Sequence, residues 1–279
     1  MCRWLAYSGE SILLERLMFD PHHSLIDQSL NSSDSEATTN GDGFGIGWYD
    51  EFENPGLYKH IQPAWNDPNL RDLCGHVMSP MFLAHVRSAT GSSGIQQTNC
   101  HPFRHGNWLF MHNGSIRGFD RIKREIACEV SDQYYPEIRG TTDSELMFLL
   151  ALTFGLESEI RQSLERMVGL VESLGFSKGT QYPIQMTLGI ADGDRMYAVR
   201  YSSERNSKTL FHSRSIAALR ELAPPSLIDS VNRFSEDARA IVSEPLTALS
   251  EPWKRVPEST FLTVENGDVH YERFEPEAP

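Results

Sequence analysis

Cysteines are few in this chain, basic residues are outnumbered, and long apolar runs are missing. Cys2, Cys74, Cys100 and Cys128 are widely spaced and form no Cys-x-x-Cys pair. That spacing indicates neither a zinc knuckle nor a disulfide framework. Lys and Arg number 25 against 38 Asp and Glu, for a formal net charge of −13. Nucleic acid is therefore not expected as a partner, because a phosphate backbone is bound by clustered cations. The acidity is that of a soluble protein. No apolar stretch approaches the ~20 residues of a membrane-spanning helix. The longest, around Leu146 to Leu156, is interrupted by Thr153 and Gly155 and reads as a buried helix. The basic and apolar segments of a secretory signal are missing at the N-terminus, so no membrane association is expected and the cytoplasm is the expected compartment. Repeats, heptads and low-complexity tails are absent as well.

Two tempting site patterns also lack their essential parts. The glycines of Asn40-Gly-Asp-Gly-Phe-Gly45 invite a phosphate-loop reading, but no Lys-Ser/Thr follows and no helix opens there. His101-x-x-x-His105 contains Pro102 and is followed by Gly106, so no helix aligns the two rings on a metal. Neither a cofactor nor a metal is expected.

What is present suits one sizeable core: 279 residues, 39% of them hydrophobic. Residues 3–8 read as a strand ended by Gly9, and Ser11 as the cap of a helix running through Leu17 and Met18. The polar stretch Asn31 to Asn40 reads as a loop, exposed or placed over a site. Phe44, Ile46 and Trp48 alternate with glycines, which predicts a strand that another backbone or a ligand approaches closely. Further strands are expected at 81–87, 107–112, 184–191, 195–201, 208–213, 259–265 and 268–274, the last two joined by an Asn266-Gly267 hairpin. Residues 119–129 and 143–176 read as helical, the second span broken at Gly155 and opened by a Thr142-x-x-Glu145 capping box. Pro224-Pro225 and Pro245 to Pro257 read as loops. Helices and strands mix without strict βαβ alternation, which favours an α+β layered domain.

Cys2 stands one cleavage from the N-terminus. If Met1 is removed, a thiol and a free α-amine share one residue, with ordinary pKa values of about 8.5 and 7.7–8.0. The amine can then take the thiol proton without a histidine. The bland alternative is a small packed side chain. Three further segments have bland readings when taken singly. Arg87, in His85-Val-Arg-Ser-Ala-Thr90, suits a surface ion pair; Asn113-Gly114, after His112, suits a hairpin turn; and Asp143, in Thr142-Asp-Ser-Glu145, suits a helix N-terminus. A papain-like site built on Cys100 is a further alternative.

In this order after Met1-Cys2, the segments resemble the class II glutamine amidotransferase domain of the Ntn-hydrolase superfamily. Asn40 to Tyr49 and Asn99-Cys-His-Pro-Phe103 are similar to the stand-alone YafJ/EgtC-type subgroup, some members of which hydrolyse γ-glutamyl bonds. The resemblance spans residues 1 to about 150. It implies a four-layer αββα sandwich with two packed, mainly antiparallel sheets, and a single domain over residues 2–279 after loss of Met1. Cys2 would attack the γ-carbonyl of a glutamyl amide and form a thioester, while the Asn113 side chain and the Gly114 N–H hold the oxyanion. A turn directly after the strand would suit that role. Arg87 would hold the substrate α-carboxylate and Asp143 its α-ammonium, with Thr90 lining the pocket. The implied partner is a small γ-glutamyl substrate. A chain of this length leaves no room for an ammonia-using domain, so a separate ammonia-using or peptidase partner, or a leaving group other than ammonia, is implied. Ser88 stands where several family members carry an aromatic residue, which would open the pocket to a bulkier leaving group. A catalytically silent γ-glutamyl-binding or regulatory module is the other reading, and the residues leave homo-oligomerisation open.

Overall fold

A computed structural model of the chain describes residues 2–30, 39–89, 94–222, 228–229, 231–247 and 251–278. In chain order its strands are β1 (Arg3–Leu13), β2 (Phe44–Trp48), β3 (Gly56–His60), β4 (Met78–Val86), β5 (Phe103–His105), β6 (Trp108–Ile116) and β7 (Ile184–Ala191). There follow β8 (Met196–Ser202), β9 (Phe211–Ser213), β10 (Arg239–Val242), β11 (Trp253–Arg255), β12 (Thr260–Glu265) and β13 (Asp268–Arg273). The helices are α1 (Glu15–Met18), α2 (Leu25–Leu30), α3 (Pro68–His76), α4 (Phe119–Glu129), α5 (Asp143–Thr153), α6 (Ile160–Ser177) and α7 (Ile216–Leu222).

The strands form a seven-stranded sheet, β11-β9-β10-β1-β4-β2-β3, and a six-stranded sheet, β13-β12-β8-β7-β6-β5. Every described pairing is antiparallel. Side chains of period two divide each central strand between two cores. Trp4 and Ala6 of β1, Met81 and Leu83 of β4, and Leu109 and Met111 of β6 meet between the sheets. Leu5, Tyr7, Phe82 and Ala84 instead face a core shared with α1 and α2. Trp108, Phe110 and Ile116 face α4, α5 and α6. The result is the expected αββα sandwich. Ser144 through Leu152 of α5 are all buried, which suits a helix apolar on every side.

The glycine-alternating segment is the strand β2, and other groups do approach it closely. A Cβ on Gly45 would collide with the His101 carbonyl oxygen, and one on Gly47 would lie 2.8 Å from a Leu109 methyl. Asn266 and Gly267 both have positive φ (48° and 80°) between the paired Glu265 and Asp268, the backbone of a two-residue hairpin. Gly155, with φ 91°, separates α5 from α6.

Four expectations need correction. Gly9 does not end the first strand and Ser11 caps no helix. After an irregularity between Ser8 and Ile12, β1 resumes its pairing as Ile12↔Ser79 and Leu13↔Met78, and only the short α1 follows. Asn113-Gly114 is not a turn, because β6 continues to Ile116 in register with β7. The capping box is half made: Thr142 accepts the Glu145 N–H (3.3 Å), while the Glu145 carboxylate reaches further back, to the Arg139 and Gly140 N–H groups. The strand expected at 208–213 shortens to β9, and β11 interrupts the 245–257 loop. Asn31 to Thr38 and Pro224-Pro225 lie outside the described residues.

His85, His101 and His112 are buried, and the His85 and His101 rings lie tilted against each other at 4.3 Å between centroids. Both ring nitrogens of His101 lack a hydrogen-bond partner among the described residues. Burial lowers the His85 pKa from 6.5 to about 3 and lowers those of His101 and His112 as well. Below pH 6.5 the unfolded chain gains protons that folded His85 refuses until near pH 3. Stability should therefore be full above that window and fall through it, by up to about 1.4 kcal/mol per pH unit for each histidine. Urea midpoints are expected to drop between pH 7.5 and 5.5, and less steeply in His85→Leu; equal slopes in the two proteins would contradict this account. Gly45→Ala should destabilise by about 1–3 kcal/mol through overpacking against backbone, measured as a lower midpoint in the same titration.

Candidate functional site

Cys2 lies immediately before β1, whose first residue, Arg3, pairs with Val86 at the end of β4. That register brings the thiol to the segment just beyond Arg87. The Cys2 Sγ accepts the Ser88 N–H at 3.4 Å and lies 3.5 Å from the Ser88 carbonyl oxygen. The alternation that turns Trp4 and Ala6 between the sheets directs Cys2 to the same side. Burial pushes the Cys2 thiol pKa up, against the pull of the Ser88 backbone and of the positive charges of Arg87 and Arg3.

Arg87 is buried, at 3% exposure, so its charge is held in place rather than trailing in solvent. Its guanidinium donates to the carbonyls of Asp42 (3.2 Å) and Gly94 (3.3 Å). The Asn40–Gly43 loop is built around it. The Arg87 N–H donates to the Gly43 carbonyl, the Asp42 N–H to the Arg87 carbonyl, and the Ala89 N–H to the Asp42 carboxylate at 2.8 Å. Gly43 is required there, since its φ is 111° and a Cβ would lie 2.7 Å from the Cys100 sulfur. Asn99 then links this loop to the start of α5. Its amide donates to the Gly94 carbonyl and to Thr141 Oγ1, and its oxygen accepts the Thr141 N–H at 2.8 Å.

Asn113 and Gly114 lie within β6. The Asn113 carbonyl accepts from Thr187 Oγ1 (3.4 Å), and Thr187 Oγ1 in turn accepts from the Trp4 indole at 3.0 Å. This chain ties β1 to β6 and β7 across the sandwich. The Asn113 side chain shares a cavity wall with Arg3. Two residues past Gly114, the Ile116 N–H donates to Asp143 Oδ2 at 3.0 Å, whereas the Arg117 N–H turns to Pro183 on the β7 side. Alternate N–H groups of a strand share a direction, so the Gly114 N–H points to the edge of β6 that Asp143 faces. A side chain at 114 would meet the Gln185 carbonyl oxygen of β7. Asp143 is fixed by the Ser144 N–H (2.8 Å), and Ser144 Oγ also contacts His112 Nδ1 at 2.8 Å.

The structure thus gathers Cys2 with Arg87 and, across the sandwich, Asn113, Gly114 and Asp143 at the same end. Thr90 lies outside the described residues. Cys100 is fully buried, burial raises its thiol pKa, and among the described residues its hydrogen-bond contacts are the carbonyls of His60 and Gln96 rather than a histidine ring, which speaks against the papain-like alternative. His105 pairs with Glu137 at 3.0 Å, while the His101 ring lies tilted against His85 and edge-on to Phe103. Sequence reasoning did not assign Asp42, Ser144 or Arg3 to the site. Asp42 and Ser144 fall inside the quoted motifs, but their roles depend on which backbone they face.

The chain is similar to several known proteins. A family model for class II glutamine amidotransferases matches residues 17–278, a span that begins after Cys2. The probable glutamine amidotransferase DUG3 of Saccharomyces cerevisiae is 31% identical over 298 residues, covering 96% of this chain and 83% of its own. The gamma-glutamyl-hercynylcysteine sulfoxide hydrolase of Mycobacterium tuberculosis is 32% identical over 117 residues, 42% of this chain and 50% of its own. A glutamine aminotransferase class-II domain protein from Silicibacter pomeroyi superposes with a TM-score of 0.74 at 32% identity, covering 99% of this chain and all of its own. The glutamine phosphoribosylpyrophosphate amidotransferase of B. subtilis, at 16% identity and TM-score 0.65, shares the fold over 99% of this chain and 50% of its own. With the family model matching nearly the whole chain, the protein belongs to the class II glutamine amidotransferases.

Proposed function

We propose that residues 2–279, after loss of Met1, form one domain that hydrolyses a γ-glutamyl amide with Cys2 as an N-terminal nucleophile. The α-amine of Cys2 takes the thiol proton, and the thiolate attacks the γ-carbonyl carbon. The resulting oxyanion is held by the Asn113 side-chain amide and the Gly114 N–H. Collapse breaks the C–N bond, the protonated amine returns its proton to the departing nitrogen, and a thioester remains. Water then attacks the thioester by the same exchange, giving glutamate and the free thiol.

The observation that carries this reading is the common end of the sandwich. There, β1, which begins just after Cys2, is tied through Trp4 and Thr187 to a strand, β6, whose Gly114 N–H is turned away from β7 toward Asp143. Support also comes from charge. The positive charge of Arg87 opposes the rise that burial imposes on the Cys2 pKa, and a buried guanidinium together with the Asp143 carboxylate suits the carboxylate and ammonium of a free glutamyl group. The hydrolase name of the mycobacterial relative favours a γ-glutamyl conjugate as substrate, and Ser88 beside the thiol leaves room for one. A separate ammonia-using or peptidase protein is the partner that this reading proposes.

Glutamate release from glutamine and from γ-glutamyl conjugates should disappear in Cys2→Ala and in protein that intact mass shows to retain Met1. A processed, Cys2-intact protein that releases nothing from any of them would instead favour a γ-glutamyl-binding module. Asn113→Asp should lower kcat about 10²–10³-fold, the usual cost of one oxyanion donor. Arg87→Lys should act chiefly on KM, because lysine cannot reproduce the bidentate pair; steady-state kinetics separates the two effects.

A further inference from the structure

The two groups assigned to the α-carboxylate and the α-ammonium come from different layers of the sandwich. Arg87 follows β4 of the seven-stranded sheet. Asp143 opens α5, which lies on the six-stranded sheet with Phe148 packed on Phe110 at 5.1 Å between ring centroids. Apolar packing is non-directional, so it does not by itself fix how far apart the two groups stand. Asn99 spans the gap. It ends the short 3₁₀ turn Gln97–Asn99, is fully buried, and has its amide nitrogen and its carbonyl oxygen both engaged.

We infer that Asn99 is a positioning residue: it fixes the separation of Arg87 and Asp143, so that a glutamyl group bearing both α-carboxylate and α-ammonium is preferred over one bearing either alone. The inference rests on the hydrolase reading above, which gives Arg87 and Asp143 those two roles. The path from one to the other is short and made of directional bonds. The Gly94 carbonyl oxygen accepts from the Arg87 guanidinium (3.3 Å) and from the Asn99 amide (2.9 Å), one bond for each of its lone pairs. The same amide donates to Thr141 Oγ1 at 3.0 Å, and its oxygen accepts the Thr141 N–H at 2.8 Å. Asp143 stands two residues further on, its carboxylate held by the Ser144 N–H (2.8 Å) and the Ile116 N–H (3.0 Å). Two contacts at a fixed spacing reinforce each other, because the first places the ligand for the second.

Both ends of this bridge are themselves anchored. On the side of the seven-stranded sheet, Lys59 of β3 donates through Nζ to the Cys100 carbonyl at 2.7 Å, and Gln97 Nε2 donates to the Lys59 carbonyl at 2.6 Å. On the side of α5, the Glu145 carboxylate accepts the Gly140 N–H at 2.8 Å, and Lys123 of α4 donates to the Thr141 carbonyl at 3.1 Å. The two segments meet so closely that glycine is needed at 140, where a Cβ would lie 2.5 Å from Asn99 Oδ1. A shift of either segment would leave a buried polar group unpaired, which is costly. Through Asn99, the Asn99-Cys-His-Pro-Phe103 motif thereby takes a part in substrate recognition.

The test measures competitive inhibition of Cys2-dependent hydrolysis, in the intact processed enzyme, by glutamate, glutarate and γ-aminobutyrate. Glutarate lacks the α-ammonium and γ-aminobutyrate the α-carboxylate. The wild type should bind glutamate at least about tenfold more tightly than either. Asn99→Asp keeps the shape and the acceptor for the Thr141 N–H but loses the donor to Gly94, and should raise the glutamate inhibition constant at least about tenfold. The constants for the two single-group ligands should change by less than about twofold, a split that general loosening of the fold would not produce. Thr141→Val removes the Oγ1 acceptor at an exposed position, so it keeps the test sound if Asn99→Asp fails to fold, and it should show the same split. Three ligands weakened alike, a glutamate constant unchanged by both variants, or a wild type that binds glutamate no better than the single-group ligands overturns the inference while leaving the hydrolase reading intact. No Cys2-dependent release from glutamine or from any γ-glutamyl conjugate overturns that reading and the inference with it.

Discussion

The hydrogen-bonded chain from the Trp4 indole to Thr187 Oγ1 and on to the Asn113 carbonyl is the contact on which the site depends. Two sheets packed face to face through apolar side chains can slide, since burial is non-directional. A directional bond between them, placed within two residues of Cys2, sets the distance from the thiol-bearing strand to the strand carrying Asn113 and Gly114. Because both partners are buried, breaking the chain would leave unpaired polar groups between the sheets.

Around that chain, three of the candidate residues stand at the ends of elements, while Asn113 and Gly114 lie within β6. Cys2 precedes β1, Arg87 follows β4, and Asp143 opens α5. Each is then fixed by backbone groups of a neighbouring segment: Ser88 for Cys2, Asp42 and Gly94 for Arg87, Ile116 and Ser144 for Asp143. Asn99 joins the Arg87 loop to the start of α5 through its amide. A displacement of one loop is thereby passed to the others. Packing explains the glycines as well, since Gly45 and Gly114 stand where backbone carbonyls leave no space for a Cβ.

Much of this was legible in the residues. Period-two alternation marked most of the long strands, and Gly155 marked the break between α5 and α6. The motif order from Cys2 to Glu145 carried the family and the layered fold. The misreadings were local. Ser11 has the chemistry of a helix cap, yet β4 extends far enough to keep the chain in a strand, and pairing overrides propensity. Asn-Gly has the chemistry of a turn, yet β7 pairs straight across it. Among the strands that were not marked, β5, β10 and β11 carry only three or four residues, too few for a period to be read.

The sequence by itself determined the kinds of group available and the family to which they belong: a thiol at position 2, an arginine after a strand, an Asn-Gly pair and an acidic helix start. Tertiary structure alone decided their directions. That the Gly114 N–H faces Asp143 follows from strand alternation read against the Ile116 bond, and that Lys208 and Arg255 share a cavity with Asn113 follows from sheet order. Lys208 and Arg255 stand 95 and 142 positions from Asn113, and no local pattern records which strand ends come together when two sheets pack.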